Sequence, residues 1–185
     1  MDLNYFLELA VNGALAGLMY ALVAMGLVLV YKSSSVPNLA QGALTMVGAY
    51  VVLFFSSSLG LSMWLAVPLA IVTMMGMGMG IERVALRPLA GRPIVMILMM
   101  TLGLDIFLRA LAMTIWGGSG RPMRIGISDD PMFLGSLLIN RAYAVGAVVT
   151  LVLFAVFVFF FQTRRGVVLR AIADDYMASW SVGIS

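Results

Sequence analysis

Residues 33–81 read SSSVPNLAQGALTMVGAYVVLFFSSSLGLSMWLAVPLAIVTMMGMGMGI, forty-nine consecutive residues between Lys32 and Glu82 without one charged side chain. A water-soluble domain does not spare so long a stretch from ionic groups, whereas a bilayer core demands it. The rest of the chain agrees: 63% of the 185 residues are hydrophobic, 10% are charged, and mean hydropathy is +1.08. The sequence therefore specifies an all-α integral membrane protein, a polytopic helix bundle whose helices each need about 20 apolar residues to cross.

Composition also excludes chemistry. The chain has no histidine and no cysteine, which removes imidazole bases, thiol nucleophiles, disulfides and the usual zinc sites. Lys32 is the only lysine, and no glycine precedes it at phosphate-loop spacing, so any ATP chemistry belongs to another chain. A net charge of +3 reads as a basic cytoplasmic face and not as a nucleic-acid footprint. The sixteen methionines are scattered through apolar runs, as packing or lipid-facing residues and not as a metal path.

Five spans are expected, over about 9–31, 39–55, 61–81, 94–116 and 142–161. Ser56–Gly60 reads as a tight connection, and Gly117–Arg141 as a long polar one holding a short apolar patch. With the N-terminus outside, one set of loops holds Lys32, Arg83, Arg87, Arg92, Arg164, Arg165 and Arg170, against Arg121, Arg124 and Arg141 on the other. The positive-inside rule then places the N-terminus outside and residues 162–185 in the cytoplasm. Gly13 and Gly17, and Gly76 and Gly80, have the spacing that lets helix backbones approach closely in lipid.

Two places carry more than hydrophobicity. Pro37 lacks an amide hydrogen and disfavours a helical residue before it, so a helix starts or breaks there. Asn38, Gln41 and Thr45 follow at helical spacing beside Gly42, and polar groups at membrane depth need a partner or a wet cavity. They either border a translocation path or make interhelical hydrogen bonds. Asp105 and Arg109 stand four apart, acid first, about 16 Å into the fourth span. A charge pair at that depth marks a functional site by default, with structural neutralisation as the alternative.

After the fifth span, Asp174-Asp175, seven helix-compatible residues and Gly183 describe a short capped helix too polar to cross. By physics alone it rests on lipid or docks another protein.

At this point the residues carry a resemblance. Gly13-Ala-Leu-Ala-Gly-Leu-Met-Tyr-Ala-Leu22, Pro37-Asn-Leu-Ala-Gln-Gly-Ala-Leu-Thr-Met-Val-Gly-Ala-Tyr50, Glu82-Arg-Val-Ala-Leu-Arg-Pro-Leu89 and Thr163-Arg-Arg-Gly-Val-Val-Leu-Arg-Ala-Ile-Ala-Asp-Asp175 resemble the permeases of branched-chain amino-acid ABC importers, of the LivH-like type. The match runs in order over nearly the whole chain. It implies a bacterial inner-membrane transport subunit, not an enzyme. Its implied partners are a second, LivM-like permease, a periplasmic binding protein and two cytoplasmic ATPases that carry ATP and Mg. The substrate would be a small solute, the surroundings lipid, with no nucleic acid involved and no cofactor bound by this chain. The resemblance also implies that residues 162–185 couple to an ATPase through Asp174, Asp175, Ala178, Ser179 and Gly183. Two departures from the family pattern stand out. Met177 and Ser179 replace its Glu and second Ala, and Ala43 stands where many relatives place an acid. Family members carry further spans, so the chain is expected to be the N-terminal part of a longer protein. The alternatives are a urea or amide permease of the same family, an ATP-independent channel or ion-coupled carrier using Asp105, and a purely structural membrane protein.

Overall fold

The computed structural model describes residues 3–34, 36–89, 91–117, 132–134, 137–164 and 166–168. Its described residues form five helices long and apolar enough to cross a membrane, as an all-α polytopic membrane protein requires. They gather into two units, residues 1–35 with 127–185 and residues 36–126.

In the first unit, helix α1 (Leu3–Ser34) runs unbroken for 32 residues because no proline interrupts its apolar run before Pro37. It reaches beyond 9–31 at both ends. Lys32 lies in its last turn, where a cation meets the negative end of the helix dipole, and its Nζ stands 5.3 Å from the Phe161 ring. Phe161 is near the end of α5 (Arg141–Gln162), whose first turn is capped by Asn140 Oδ1 accepting from the amides of Ala142 (2.9 Å) and Tyr143 (3.4 Å). Between these ends Met19 lies across Gly146, where a β-carbon would stand 3.1 Å from its sulfur. The two helices are therefore parallel.

The connection before α5 contains an unexpected element. Within the apolar patch, β1 (Met132–Leu134) pairs antiparallel with β2 (Leu137–Ile139), Phe133 opposite Leu138. The other edge of β2 is satisfied by side chains of α1. Glu8 Oε1 accepts from the Leu138 amide (2.6 Å), Asn12 Nδ2 donates to the Leu138 carbonyl (2.9 Å), and Asn12 Oδ1 accepts from the Asn140 amide (3.0 Å). One carboxylate and one carboxamide, a turn apart, thus stand in for a third strand and remove the exposed edge.

In the second unit, α2 (Gln41–Leu53) starts after a non-helical passage. Its last turn widens into a π-turn over Phe54–Ser58, with Ser56 Oγ donating to the Leu53 carbonyl (3.3 Å). Ser56–Ser58 are therefore helical, which corrects the expected connection: the reversal begins at Leu59 and uses Gly60 at φ +66°. The Ser56 hydroxyl, bonded back to its own helix, is of the kind that bends a helix at its end. Helix α3 (Met63–Ile81) tolerates Pro68 in its second turn and continues through a π-turn to Leu86 and a short 3-10 turn to Leu89. Helix α4 (Ile94–Trp116) ends at Gly117, whose φ of +84° suits a residue without a β-carbon.

The core of this unit is a seam of small against large residues. Ala40, Ala43 and Val47 on the α2 side pack with Leu104, Leu108 and Ala112 of α4, two stripes at one-turn spacing. Beyond the seam Tyr50 stacks on Trp116 with ring centroids 5.2 Å apart. Large apolar side chains elsewhere stay exposed, Trp64 by 90% and Phe159 by 72%, as expected where lipid is the solvent and burial gains nothing. Gly13, Gly17, Gly76 and Gly80 are not contact points within the described residues: a β-carbon at any of them would meet no atom within 4 Å.

Candidate functional site

The site is built where α2 begins. Pro37 keeps Val36–Ala40 out of helix, and Asn38 organises the restart. Its Oδ1 accepts from the Ala40 amide (3.0 Å) and its carbonyl from the Gln41 amide (3.2 Å), a local turn of the kind asparagine favours. The first helical bond follows, from the Leu44 amide to the Ala40 carbonyl (2.9 Å). The expected polar face is thus resolved differently. Asn38 precedes the helix and shapes its entry, while Thr45 Oγ1 turns back to the Gln41 carbonyl (2.9 Å). Asn38 and Gln41 are half-buried and Thr45 is exposed. Among the described residues, Asn38 and Thr45 hydrogen-bond only within their own segment.

Helix α4 supplies the charges. Asp105 lies eleven residues after Ile94 and eleven before Trp116, about 16 Å from either end of the helix. Arg109 Nε donates to Asp105 Oδ2 at 2.8 Å, one turn along the same face. The pair lies against the first turn of α2, where a β-carbon on Gly42 would stand 3.3 Å from Arg109 Nη2. The amide of Ala43, a residue with no exposed surface, faces the Asp105 carboxylate. That approach falls short of hydrogen-bond geometry, for the buried Oδ1 of Asp105 has no hydrogen-bond partner. Since Tyr50 meets Trp116 at the far end, α2 runs parallel to α4 and starts at its mid-height. A helix that starts in mid-membrane points its positive end, with unused amides, at whatever shares that level. Here that is a carboxylate, with the guanidinium beside it.

The structure therefore brings together Gly42, Asp105 and Arg109, while Asn38 and Thr45 make their hydrogen bonds within their own segment and none to that pair. Sequence reasoning missed the role of Ala43, whose small side chain lets the two helices meet at this level. It also missed the Glu8–Asn12 clamp, although two polar residues one turn apart at the head of an apolar span were a visible signal. Asp174, Asp175, Ala178, Ser179 and Gly183 lie outside the described residues. Just before them the chain turns sharply after α5. The amides of Thr163 and Val167 donate to the carbonyls of Phe160 and Thr163 (both 3.0 Å), and Gly166 is pressed against the helix end. A β-carbon there would stand 2.6 Å from the Phe161 Cα. Among the described residues no group of three or more acidic side chains is placed to hold a metal ion.

Residues 9–185 match the family model described as the permease component of branched-chain amino acid transport systems. The chain belongs to this family. Among its curated relatives, the high-affinity branched-chain amino acid transport system permease protein BraD of Pseudomonas aeruginosa is 28% identical over 197 residues, covering 100% of this chain and 64% of the relative. The corresponding LivH protein of Escherichia coli strain K12 is 31% identical over 195 residues, covering 98% of this chain and 63% of the relative. A probable branched-chain amino acid transport permease protein LivH of Methanocaldococcus jannaschii is 28% identical over 174 residues, with 88% and 53% covered. No solved structure matches the chain. This permease-family chain thus spans less than two thirds of the length of these relatives. The LivH-like resemblance and the all-α polytopic fold expected from the sequence are both borne out.

Proposed function

We propose that this chain forms part of the permease subunit of an ABC importer for branched-chain amino acids. The observation that carries the reading is the Asp105–Arg109 pair set at mid-height against the start of α2, in a chain of the permease family. A charged pair and a helix terminus at that depth need a polar lining, which a solute path provides. Asn38, Gln41, Gly42, Thr45, Asp105 and Arg109 border that path. Residues 1–161 form the membrane part, and residues 162–185 dock a cytoplasmic ATPase through Asp174, Asp175, Ala178, Ser179 and Gly183. ATP and Mg are bound by two such ATPase subunits, so the chain itself catalyses nothing. A second, LivM-like permease and a periplasmic binding protein complete the assembly in the bacterial inner membrane, with the N-terminus periplasmic.

The test is uptake of leucine into proteoliposomes that hold the complete subunit and these partners. Uptake that requires both ATP and the binding protein is expected. Uptake that survives ATP depletion but collapses with the ion gradient would instead establish an ion-coupled carrier, and uptake of urea without leucine an amide permease.

A further inference from the structure

Arg109 is only partly used by its ion pair. Nε is committed to Asp105, while among the described residues no hydrogen bond engages either terminal nitrogen, and 52% of the side chain is exposed. One terminal nitrogen lies beside Gly42, where the absence of a β-carbon leaves the guanidinium room. A guanidinium half open at the middle of a membrane-length helix is not left against hydrocarbon. Its free edge offers two parallel N–H donors, the fork that matches a carboxylate and that lysine does not reproduce.

Building on the transport reading above, we infer that the terminal nitrogens of Arg109 receive the carboxylate of an amino-acid zwitterion midway through its passage. The ammonium of the same zwitterion lies against the open part of Asp105, whose side chain keeps 19% of its surface exposed while Oδ1 is buried. The ion pair is neutral by itself, and a zwitterion keeps it so, whereas an isolated anion would leave a net charge at mid-membrane. Urea and short amides lack the carboxylate and use this fork poorly. The start of α2 works in the same direction, since its positive end faces the level at which the carboxylate would sit. The site is thus a relay for a zwitterion and adds a second check on substrate class after capture outside the membrane.

The experiment uses the complete subunit assembled with its partners in proteoliposomes, with leucine as the probe. Arg109→Lys keeps the charge and the pairing with Asp105 but removes the fork. The double variant Asp105→Asn with Arg109→Gln removes both charges together. Both are expected to copurify with the partner subunits in wild-type amounts. ATP-driven leucine uptake should fall about threefold or more in Arg109→Lys and about tenfold or more in the double variant. Uptake within about twofold of wild type in assembled Arg109→Lys overturns the inference, whether or not the double variant assembles. A wild-type complex that moves urea but no leucine would sink the transport reading itself. Leucine uptake indifferent to Arg109 would sink only the relay.

Discussion

Arg109 reaches back across the helix seam to Gly42: its Nη2 lies 3.3 Å from the point where a β-carbon on that glycine would stand. The contact links the only basic residue inside α4 to the first turn of a helix that begins at mid-height. The guanidinium is the far end of a flexible side chain, so a single methyl is accommodated by a shift of a few tenths of an ångström. Gly42→Ala should change stability by about 0.5 kcal/mol or less. Gly42→Leu needs more room than that shift gives and should displace the guanidinium. Thermal unfolding in detergent, compared across the two variants, checks the contrast: equal melting temperatures for both would show that Gly42 and Arg109 do not meet.

Ala43 has no exposed surface and its amide faces the Asp105 carboxylate. A second carboxylate at this position would be buried next to the first, with one guanidinium between two acids. Ala43→Asp is therefore expected to lower the yield of folded, membrane-inserted protein sharply. Adding Asp105→Asn should recover most of that yield, because one acid then again faces one base. Full yield from Ala43→Asp alone would place residue 43 away from Asp105.

The Glu8–Asn12 clamp predicts a local effect. Asn12→Leu removes the donor to the Leu138 carbonyl and the acceptor for the Asn140 amide, leaving strand-edge groups without partners at about 1–3 kcal/mol. Amide hydrogen exchange at Asn140, whose acceptor is lost, should rise about tenfold or more, while the Leu138 amide, held by Glu8, and the α5 interior keep their protection. Unchanged exchange at the Asn140 amide would contradict the clamp.

At Gly166 the argument is steric. A β-carbon would collide with backbone at Phe160 and Phe161, and backbone yields far less readily than a side-chain tip. Gly166→Ala should cost about 1–3 kcal/mol and redirect the chain that follows. Limited proteolysis of inverted membrane vesicles compared with right-side-out ones reads the change as faster cleavage after Gln162. Identical cleavage rates in wild type and variant would remove the tight turn.

Topology follows from charge. Because the chain has no cysteine, single cysteines report without background. An impermeant thiol reagent is expected to label Ser57→Cys from outside intact cells and to leave Arg164→Cys unlabelled until the membrane is opened. The reverse pattern would invert the whole assignment of faces.

The sequence alone determined the solvent, the helical class and the family, because charge-free runs of membrane length and motifs in order are one-dimensional signals. It also located the break at Pro37 and the pairing of Asp105 with Arg109, both being consequences of near neighbours in the chain. Only the tertiary structure decided that this pair meets the start of α2. That contact joins residues more than sixty positions apart through the Ala43–Leu104–Leu108 seam, and no local rule contains it. The same holds for the edge of β2, satisfied by Glu8 and Asn12 from about 130 residues away. Gly13, Gly17, Gly76 and Gly80 show the converse. Their spacing advertises close approach, but whether a neighbour comes near depends on which faces the helices turn to one another, and among the described residues those glycines meet none.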